Sequence, residues 1–298
     1  MDDHEFCYYP PAKINLYLKI TGRRPDGYHE LETLMQKIAL FDRLHFTLLP
    51  QSGIRLDCGE CGLPEDKNNI IFRAASLFFD FTARQQQGVQ IVLEKNIPIA
   101  AGLGGGSSDA AAVLLALDRL CATHCSRKEL ADLGLQLGAD VPFFVYDMST
   151  GWATGIGEEL TPVTPITDFL VVLANPGISV STKWAYETFA LTSAENIFNL
   201  YCSQKENHRI MSGVNGKDCP FTPKELKNDL EDVTSGKFCV IKKIKQKMLD
   251  EGALGALMSG SGPTVFGLFS KACRQEAETC CRKLQKEFDQ VYLVIPLA

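Results

Sequence analysis

No stretch of the 298-residue chain is apolar over the roughly 20 residues that a membrane-crossing helix needs. The most apolar run, 110–117, is much shorter. Positive charge is not in excess either: 30 Lys and Arg stand against 36 Asp and Glu, for a formal net charge of −6. That argues against sequence-independent nucleic-acid binding, which needs basic surface to displace counterions. It leaves room for an anionic small molecule held by a few local groups. There is no fixed-period repeat and no low-complexity tract. The N-terminal Met-Asp-Asp-His-Glu has neither a charged-then-apolar signal region nor an Arg- and Ser-rich transit pattern. The expectation is a cytoplasmic protein with no membrane or nucleic-acid partner.

Cysteine is plentiful, at 11 residues, but scattered from Cys7 to Cys281. A disulfide framework belongs to short secreted chains. Cys58-Gly-Glu-Cys61 has a ligand-like spacing, but no second Cys or His pair is spaced to complete a zinc site. Cys121, His124 and Cys125 form only a weak second cluster. Reduced, structural cysteines are expected, since free cysteine mostly behaves as a small buried hydrophobe. No set of metal ligands can be read.

What is present is an ordinary globular composition, 45% hydrophobic and 22% charged, at a length where one core tends to split into two domains. Ile14, Leu16, Leu18 and Ile20 alternate with Asn15, Tyr17 and Lys19, which predicts a strand over 12–20. Pro25-Asp26-Gly27 makes a turn. Further strands are expected in 34–49 and 53–57. A helix is expected over 69–84, with Ile71, Ala74, Ala75, Phe78 and Phe81 near one face. A strand at 88–93 then leads into a glycine loop and a helix to about Leu120. Ser126-Arg-Lys-Glu129 is a capping-box pattern that starts another helix, ending at Gly138. Strands are expected at 141–146 and 151–154, and Thr161-Pro-Val-Thr-Pro165 reads as the linker between domains 1–160 and 161–298.

Beyond it the pattern gives a strand at 169–174, helices within 181–190, 223–232 and 237–250, strands at 254–258 and 264–269, a helix at 271–287 and a strand at 291–295. That ending resembles a split βαβ, ferredoxin-like layout, so the class is α+β. Residues 191–222 are polar and poorly patterned and read as a loop or insertion.

The chemistry concentrates at Gly102-Leu-Gly-Gly-Gly-Ser-Ser108, immediately before an apolar helix. No lysine follows Gly106, so this is not a Walker loop, and Ser107 stands where a dinucleotide fingerprint needs glycine. Glycine admits close backbone approach, Ser107 and Ser108 sit where an N-cap belongs, and a helix N-terminus attracts anions. The plainer alternative is a turn that only lets strand and helix pack tightly. Asp109, in the first turn, would repel phosphate if it faced inward, so it is expected to point aside or to act through a metal. Lys13 and Asn15 share one face of the first strand with Tyr17 and Lys19, a face that, taken alone, reads as a solvated side rather than a functional one. Asp140 reads alone as a turn residue; beside a lysine and a phosphate loop it could orient a hydroxyl proton.

Taken together, Pro11-Ala-Lys13, Pro98 with Gly-Leu-Gly-Gly-Gly-Ser-Ser, and Ser259-Gly-Ser-Gly-Pro-Thr264 resemble, in order, the three motifs of the galactokinase, homoserine kinase, mevalonate kinase and phosphomevalonate kinase (GHMP) superfamily. Five variant forms are similar to one branch of it: Ala-Lys13-Ile-Asn15-Leu, Gly22-Arg-Arg-Pro-Asp-Gly-Tyr28-His29, Gly104-Gly-Gly-Ser-Ser-Asp-Ala-Ala, Gly138-Ala-Asp-Val-Pro142-Phe and Asn228-Asp-Leu-Glu. That branch phosphorylates a cytidine diphosphate derivative of methylerythritol on the non-mevalonate route to isoprenoid precursors.

The resemblance implies a two-domain kinase with an N-terminal mixed α/β nucleotide-binding domain, a C-terminal ferredoxin-like domain and its site between them. ATP and Mg²⁺ would be the cofactors and the cytidine-bearing alcohol the substrate. By the same resemblance Asp140 is the catalytic carboxylate and Lys13 its partner. Pro98, Ala100, Gly102, Leu103, Gly104, Gly105, Gly106, Ser107 and Ser108 would bind ATP, with Asn68 and Asn69 near adenine. Tyr28 would stack on cytosine and His29 hydrogen-bond to it, Asn15 would place the methylerythritol end, and Thr182 and Tyr186 would add substrate contacts. The assembly is a monomer or homodimer. Another kinase of the superfamily acting on a different alcohol, or a nucleotide-binding relative without turnover, would share the same motifs.

Overall fold

The computed structural model describes residues 5–192 and 221–298. The expectation of a loop over 191–222 falls almost wholly outside the described residues. Strands run β1 (Glu5–Tyr8), β2 (Pro11–Arg23), β3 (His29–Phe41), β4 (Arg43–Leu49), β5 (Gly53–Asp57), β6 (Gly88–Glu94), β7 (Thr150–Thr154), β8 (Glu159–Pro162), β9 (Phe169–Asn175), β10 (Lys227–Asn228), β11 (Gly255–Met258), β12 (Val265–Ser270) and β13 (Gln290–Val294). The helices are α1 (Ile70–Phe81), α2 (Gly105–Cys121), α3 (Arg127–Leu135), α4 (Val141–Val145), α5 (Thr182–Thr192), α6 (Glu231–Lys237), α7 (Val240–Asp250) and α8 (Arg274–Leu284).

These form two compact units that interleave along the chain. The first takes residues up to Ala12, Leu40–Ile99 and Gly104–Met148; the second takes Lys13–Ala39, Ala100–Leu103 and Ser149–Ala298. The glycine stretch is thus divided between the units after Leu103.

In the first unit a four-stranded sheet, in the order β1-β4-β6-β5, packs with α1 to α4. β5 runs parallel to β6, and the remaining pairs are antiparallel. Asn69 caps α1 by accepting the Ile71 N–H at 2.9 Å. The small residues of α2, Ala110, Ala111 and Ala112, are buried and let it lie close to α1 and α4. Phe46, Phe78 and Phe143 are fully buried here, each contributing roughly 1.5–3 kcal/mol of hydrophobic stabilisation.

The second unit holds a five-stranded sheet, β10-β2-β3-β7-β8, and a four-stranded antiparallel sheet, β11-β12-β9-β13. The latter, with α7 before β11 and α8 between β12 and β13, is the expected split βαβ arrangement. Leu18, Ile20, Val172, Leu230, Ile244, Met248 and Phe269 share its core.

Several local expectations change. Residues 141–145 are a helix, not a strand: Pro142 sits in its first turn, where its missing N–H costs nothing, and Val-Pro-Phe-Phe-Val is buried throughout, so no alternation could mark it. Phe81 lies off the buried face of α1 at 49% exposure, and Phe79 takes its place. Glycine 104, at φ +70°, is the N-cap of α2, which places Ser107 and Ser108 inside the first turn. The capping box at Ser126 is formed, but α3 ends at Leu135, with the Gly138 N–H still donating to the Gly134 carbonyl at 3.1 Å. The stretch 223–232 is a 3-10 turn, the two residues of β10 and only then α6. Thr161 and Pro162 are not linker but the end of edge strand β8, where a proline is tolerated.

Candidate functional site

Strand β2 carries the most telling geometry. Lys13, Asn15, Tyr17 and Lys19 are all buried, at 4%, 3%, 7% and 6% exposure, so the solvated-face alternative is wrong. The Lys13 ammonium donates to Asn15 Oδ1 at 2.6 Å, and Asn15 Nδ2 donates to Thr33 Oγ1 at 2.9 Å. Thr33 in turn donates to the Tyr17 carbonyl at 2.6 Å. A buried polar group needs such partners, and here they fix the rotamers of both motif residues.

The second unit brings the third motif onto this strand and onto the front of the glycine loop. The Asn15 N–H donates to Ser259 Oγ at 3.3 Å, and that hydroxyl donates to the Gly102 carbonyl at 2.9 Å. The Lys13 N–H donates to the Leu103 carbonyl at 2.9 Å, and the Thr264 N–H to the Ala101 carbonyl at 3.3 Å. Ala100, exposed, is held at φ +52°.

Asn228 braces this arrangement from behind, its Nδ2 donating at 2.7 Å to the carbonyls of Met258 and Gly260. Asp229 accepts the Ile20 N–H at 2.8 Å, and Glu231 accepts the Met258 N–H at 2.8 Å. Sequence reasoning saw Asn228-Asp-Leu-Glu only as a motif. Its work is to lock the first strand to the third motif.

The back of the glycine loop belongs to the first unit. Pro98 is buried and Gly106 exposed at the start of α2. The glycines have different reasons to be glycine. A Cβ on Gly102, at φ +76°, would lie 2.1 Å from the Ser259 carbonyl; one on Gly105 would meet Lys95 Nζ and Ile97 at 2.9 Å. A Cβ on Gly106 would touch nothing nearer than Ile70 Cγ2, at 3.7 Å. Packing therefore accounts for Gly102 and Gly105 but not for Gly106.

Asp109 points aside, as expected: it is buried and pairs with Lys95 at 2.9 Å. Lys95 also pairs with Asp42, whose other oxygen accepts the N–H groups of Asn96 and Ile97 at 2.6 and 2.8 Å. Sequence reasoning missed Lys95 and Asp42, whose partners lie 53 residues apart.

Asp140 is half-buried at the N-terminal end of α4 in the first unit, whereas Lys13 belongs to the second. Asn68 is exposed and bonded to Asp66, with Nδ2 to Oδ1 at 2.9 Å. Asn69 is buried, and its Nδ2 donates to the Pro64 carbonyl at 2.7 Å, so its amide serves the protein itself.

Tyr28 is 60% exposed, and its N–H is taken by Asp26 at 3.0 Å. His29 follows, stacked on Tyr186 with ring centroids 5.3 Å apart. Its Nε2 is buried with no partner among the described residues. Burial, with help from Arg23, pulls the imidazole below its ordinary value, which keeps it neutral near pH 7. Thr182 Oγ1 lies 3.0 Å from Ser261 Oγ. The cysteines described are free thiols, and among the described residues no three His, Cys, Asp or Glu are grouped to hold a metal.

Family models for the GHMP kinases match twice, the N-terminal domain over residues 69–148 and the C-terminal domain over 224–290. A 4-diphosphocytidyl-2-C-methyl-D-erythritol kinase of Syntrophotalea carbinolica is 48% identical over 262 residues, covering 87% of this chain and 88% of that protein. The chain belongs to the 4-diphosphocytidyl-2-C-methyl-D-erythritol kinase family. The Geobacter metallireducens member is 43% identical across 94% of each chain. A crystal structure of 4-(cytidine 5'-diphospho)-2C-methyl-D-erythritol kinase superimposes with a TM-score of 0.74 at 32% identity, over 98% of this chain and 100% of that one. Membership in this kinase family makes the α+β fold a GHMP-kinase fold and ATP the phosphoryl donor.

Proposed function

We propose that the protein transfers the γ-phosphoryl group of ATP to the 2-hydroxyl of 4-diphosphocytidyl-2-C-methyl-D-erythritol, giving the 2-phosphate and ADP. The observation that carries this reading is the 48% identity to a relative of that name across 87% of the chain. The intact Lys13–Asn15–Ser259–Gly102 hydrogen-bonded chain supports it. The proposed division of labour gives ATP binding and catalysis to 1–160 and the substrate side to 161–298, with Lys13–Ala39 lending Asn15, Tyr28 and His29 to the substrate. The reaction is placed in the cytoplasm.

Phosphoryl transfer asks mainly for positioning and charge stabilisation. The N–H groups at the start of α2 hold the ATP phosphates, aided by the helix dipole. Asp140 aligns the acceptor hydroxyl and takes its proton; Lys13 offsets phosphate charge. The acceptor is a tertiary alcohol of very high pKa, so the proton leaves late and alignment dominates. Among the described residues no three His, Cys, Asp or Glu are grouped as a ligand set for Mg²⁺. It enters only as the counter-ion of the nucleotide phosphates. The unpartnered Nε2 of neutral His29 and the exposed ring of Tyr28 suit a cytosine, which offers hydrogen-bonding groups at its edge and a flat face.

Two tests follow from these assignments. ADP release should require the cytidine diphosphate group on the acceptor: mevalonate or homoserine in its place should give at most background, and equal turnover of mevalonate would overturn the assignment. Gly106→Ala should raise the melting temperature slightly, since alanine inside a helix gains roughly 0.5–1 kcal/mol over glycine and the space is open. It should nevertheless raise KM for ATP severalfold, because the new methyl stands where phosphate approaches. An unchanged KM would remove Gly106 from the nucleotide site.

A further inference from the structure

The Asp42–Lys95–Asp109 group has no role in the reaction as derived so far. It is an acid–base–acid triad sealed from water, with side-chain exposures of 0%, 6% and 2%. It lies directly behind the glycine loop: the Lys95 ammonium is the atom that a Cβ on Gly105 would strike at 2.9 Å. Asp109 stands about one helical turn beyond Gly105, about 6 Å along the axis from the start of α2. One of its oxygens accepts from Lys95, and the other, Oδ1, is buried with no hydrogen-bond partner among the described residues. Two carboxylates and one ammonium leave an odd negative charge in a dry place, and an unsatisfied carboxylate oxygen is its costliest part.

We propose that Asp109 is a proton-linked positioning residue: with Lys95 and Asp42 it seats the first turn of α2, and its carboxyl takes up a proton when nucleotide phosphates bind the glycine loop. The inference rests on the phosphate-binding reading of that loop. It differs from it in assigning the acid behind the loop, rather than the amides in front, control over affinity.

Burial pushes the Asp109 carboxyl up to about 7, with Asp42 adding to the rise and Lys95 opposing it. Burial pulls on Lys95 in the other direction, but the two carboxylates more than offset it and hold the ammonium above its ordinary value. Lys95 and Asp42 are the charged groups that act on Asp109. On the neighbouring elements, Arg43 pairs with Glu94, Lys128 with Asp132 and Glu129 with Ser126. Phosphate oxygens arriving in front of α2 disfavour a carboxylate behind it. Where the carboxyl is already neutral, binding costs nothing extra. Where it is ionised, binding must either draw in a proton or accept the repulsion, so affinity falls as pH rises through the neutral range.

The test is the binding of MgADP to the whole protein from pH 6 to 8.5, for wild type and Asp109→Asn, so that the nucleotide's own titration cancels. Wild type should lose about threefold or more in affinity relative to the variant across that range, as expected for one interacting charge at this separation. A second measurement needs no variant: calorimetry at pH 7.5 in buffers of different ionisation enthalpy should show proton uptake by wild type on binding. Parallel pH profiles for the two proteins, or no proton uptake by wild type, would overturn the proposal while leaving the phosphate loop intact. No binding of MgADP at any pH would overturn both.

Discussion

Asp140→Ala should reduce kcat by at least roughly a hundredfold, the low end for removing a group that handles a proton in the transition state. Nucleotide affinity should be unchanged, because the groups assigned to ATP lie at the glycine loop and the start of α2. The variant should keep α4, since that helix is held by five buried residues, Val141 to Val145. Steady-state kinetics with the cytidine-bearing acceptor, set beside MgADP titration, separates the two effects. A variant with full turnover would take Asp140 out of the mechanism. One that binds neither nucleotide nor acceptor would make it a structural residue.

The second large effect is expected at Gly102. Alanine there must adopt a left-handed conformation at φ +76° and place its Cβ 2.1 Å from the Ser259 carbonyl. The conformation alone costs roughly 1–2 kcal/mol, and the contact forces backbone to move. A total of about 3 kcal/mol is the scale of such strained sites, which for a unit of this size corresponds to a fall of about 6–12 °C in Tm. Activity should suffer as well. The Gly102 carbonyl, which shifts with the strained residue, is the acceptor of the Ser259 hydroxyl, which in turn receives the Asn15 N–H beside Lys13. Thermal unfolding and kcat measured on Gly102→Ala check both parts; Gly106→Ala, with open space around it, is the natural control for the unfolding measurement.

The contrast between these glycines shows what the sequence could and could not convey. Four glycines before a helix marked a loop that needs unusual backbone, and that was legible. Which glycine serves packing and which leaves space was not, because the answer lies with Ser259 and Lys95. The alternation in β2 was equally plain, yet the burial of Lys13, Asn15 and Lys19 was not. A polar face normally means water, and here Thr33, Ser259 and the strand pairing on either side help make it an interior one.

Helix 141–145 was misread as a strand for a different reason. A short segment buried on every side carries no period, and the proline that marks a helix start can also begin a strand. Ser126 succeeded where Ser107 failed. The first has Glu129 three residues on to close a capping box, whereas at the second the left-handed Gly104 already turns the chain into the helix. The split βαβ unit was readable because its strands are short apolar runs and the helices α7 and α8 each carry one apolar face. The Asp42–Lys95–Asp109 triad was unreadable because nothing local ties residue 42 to residue 95.

The central claim is that the terminal phosphate of ATP ends on the acceptor's 2-hydroxyl. The most direct test is a phosphorus NMR spectrum of the products after purified protein, ATP, Mg²⁺ and 4-diphosphocytidyl-2-C-methyl-D-erythritol have reacted. The account predicts one new phosphomonoester resonance on the cytidine-bearing product, growing in step with ADP, its diphosphate signals intact. Growth of inorganic phosphate alone, or a spectrum that stays unchanged while the protein remains folded and nucleotide-bound, would contradict it.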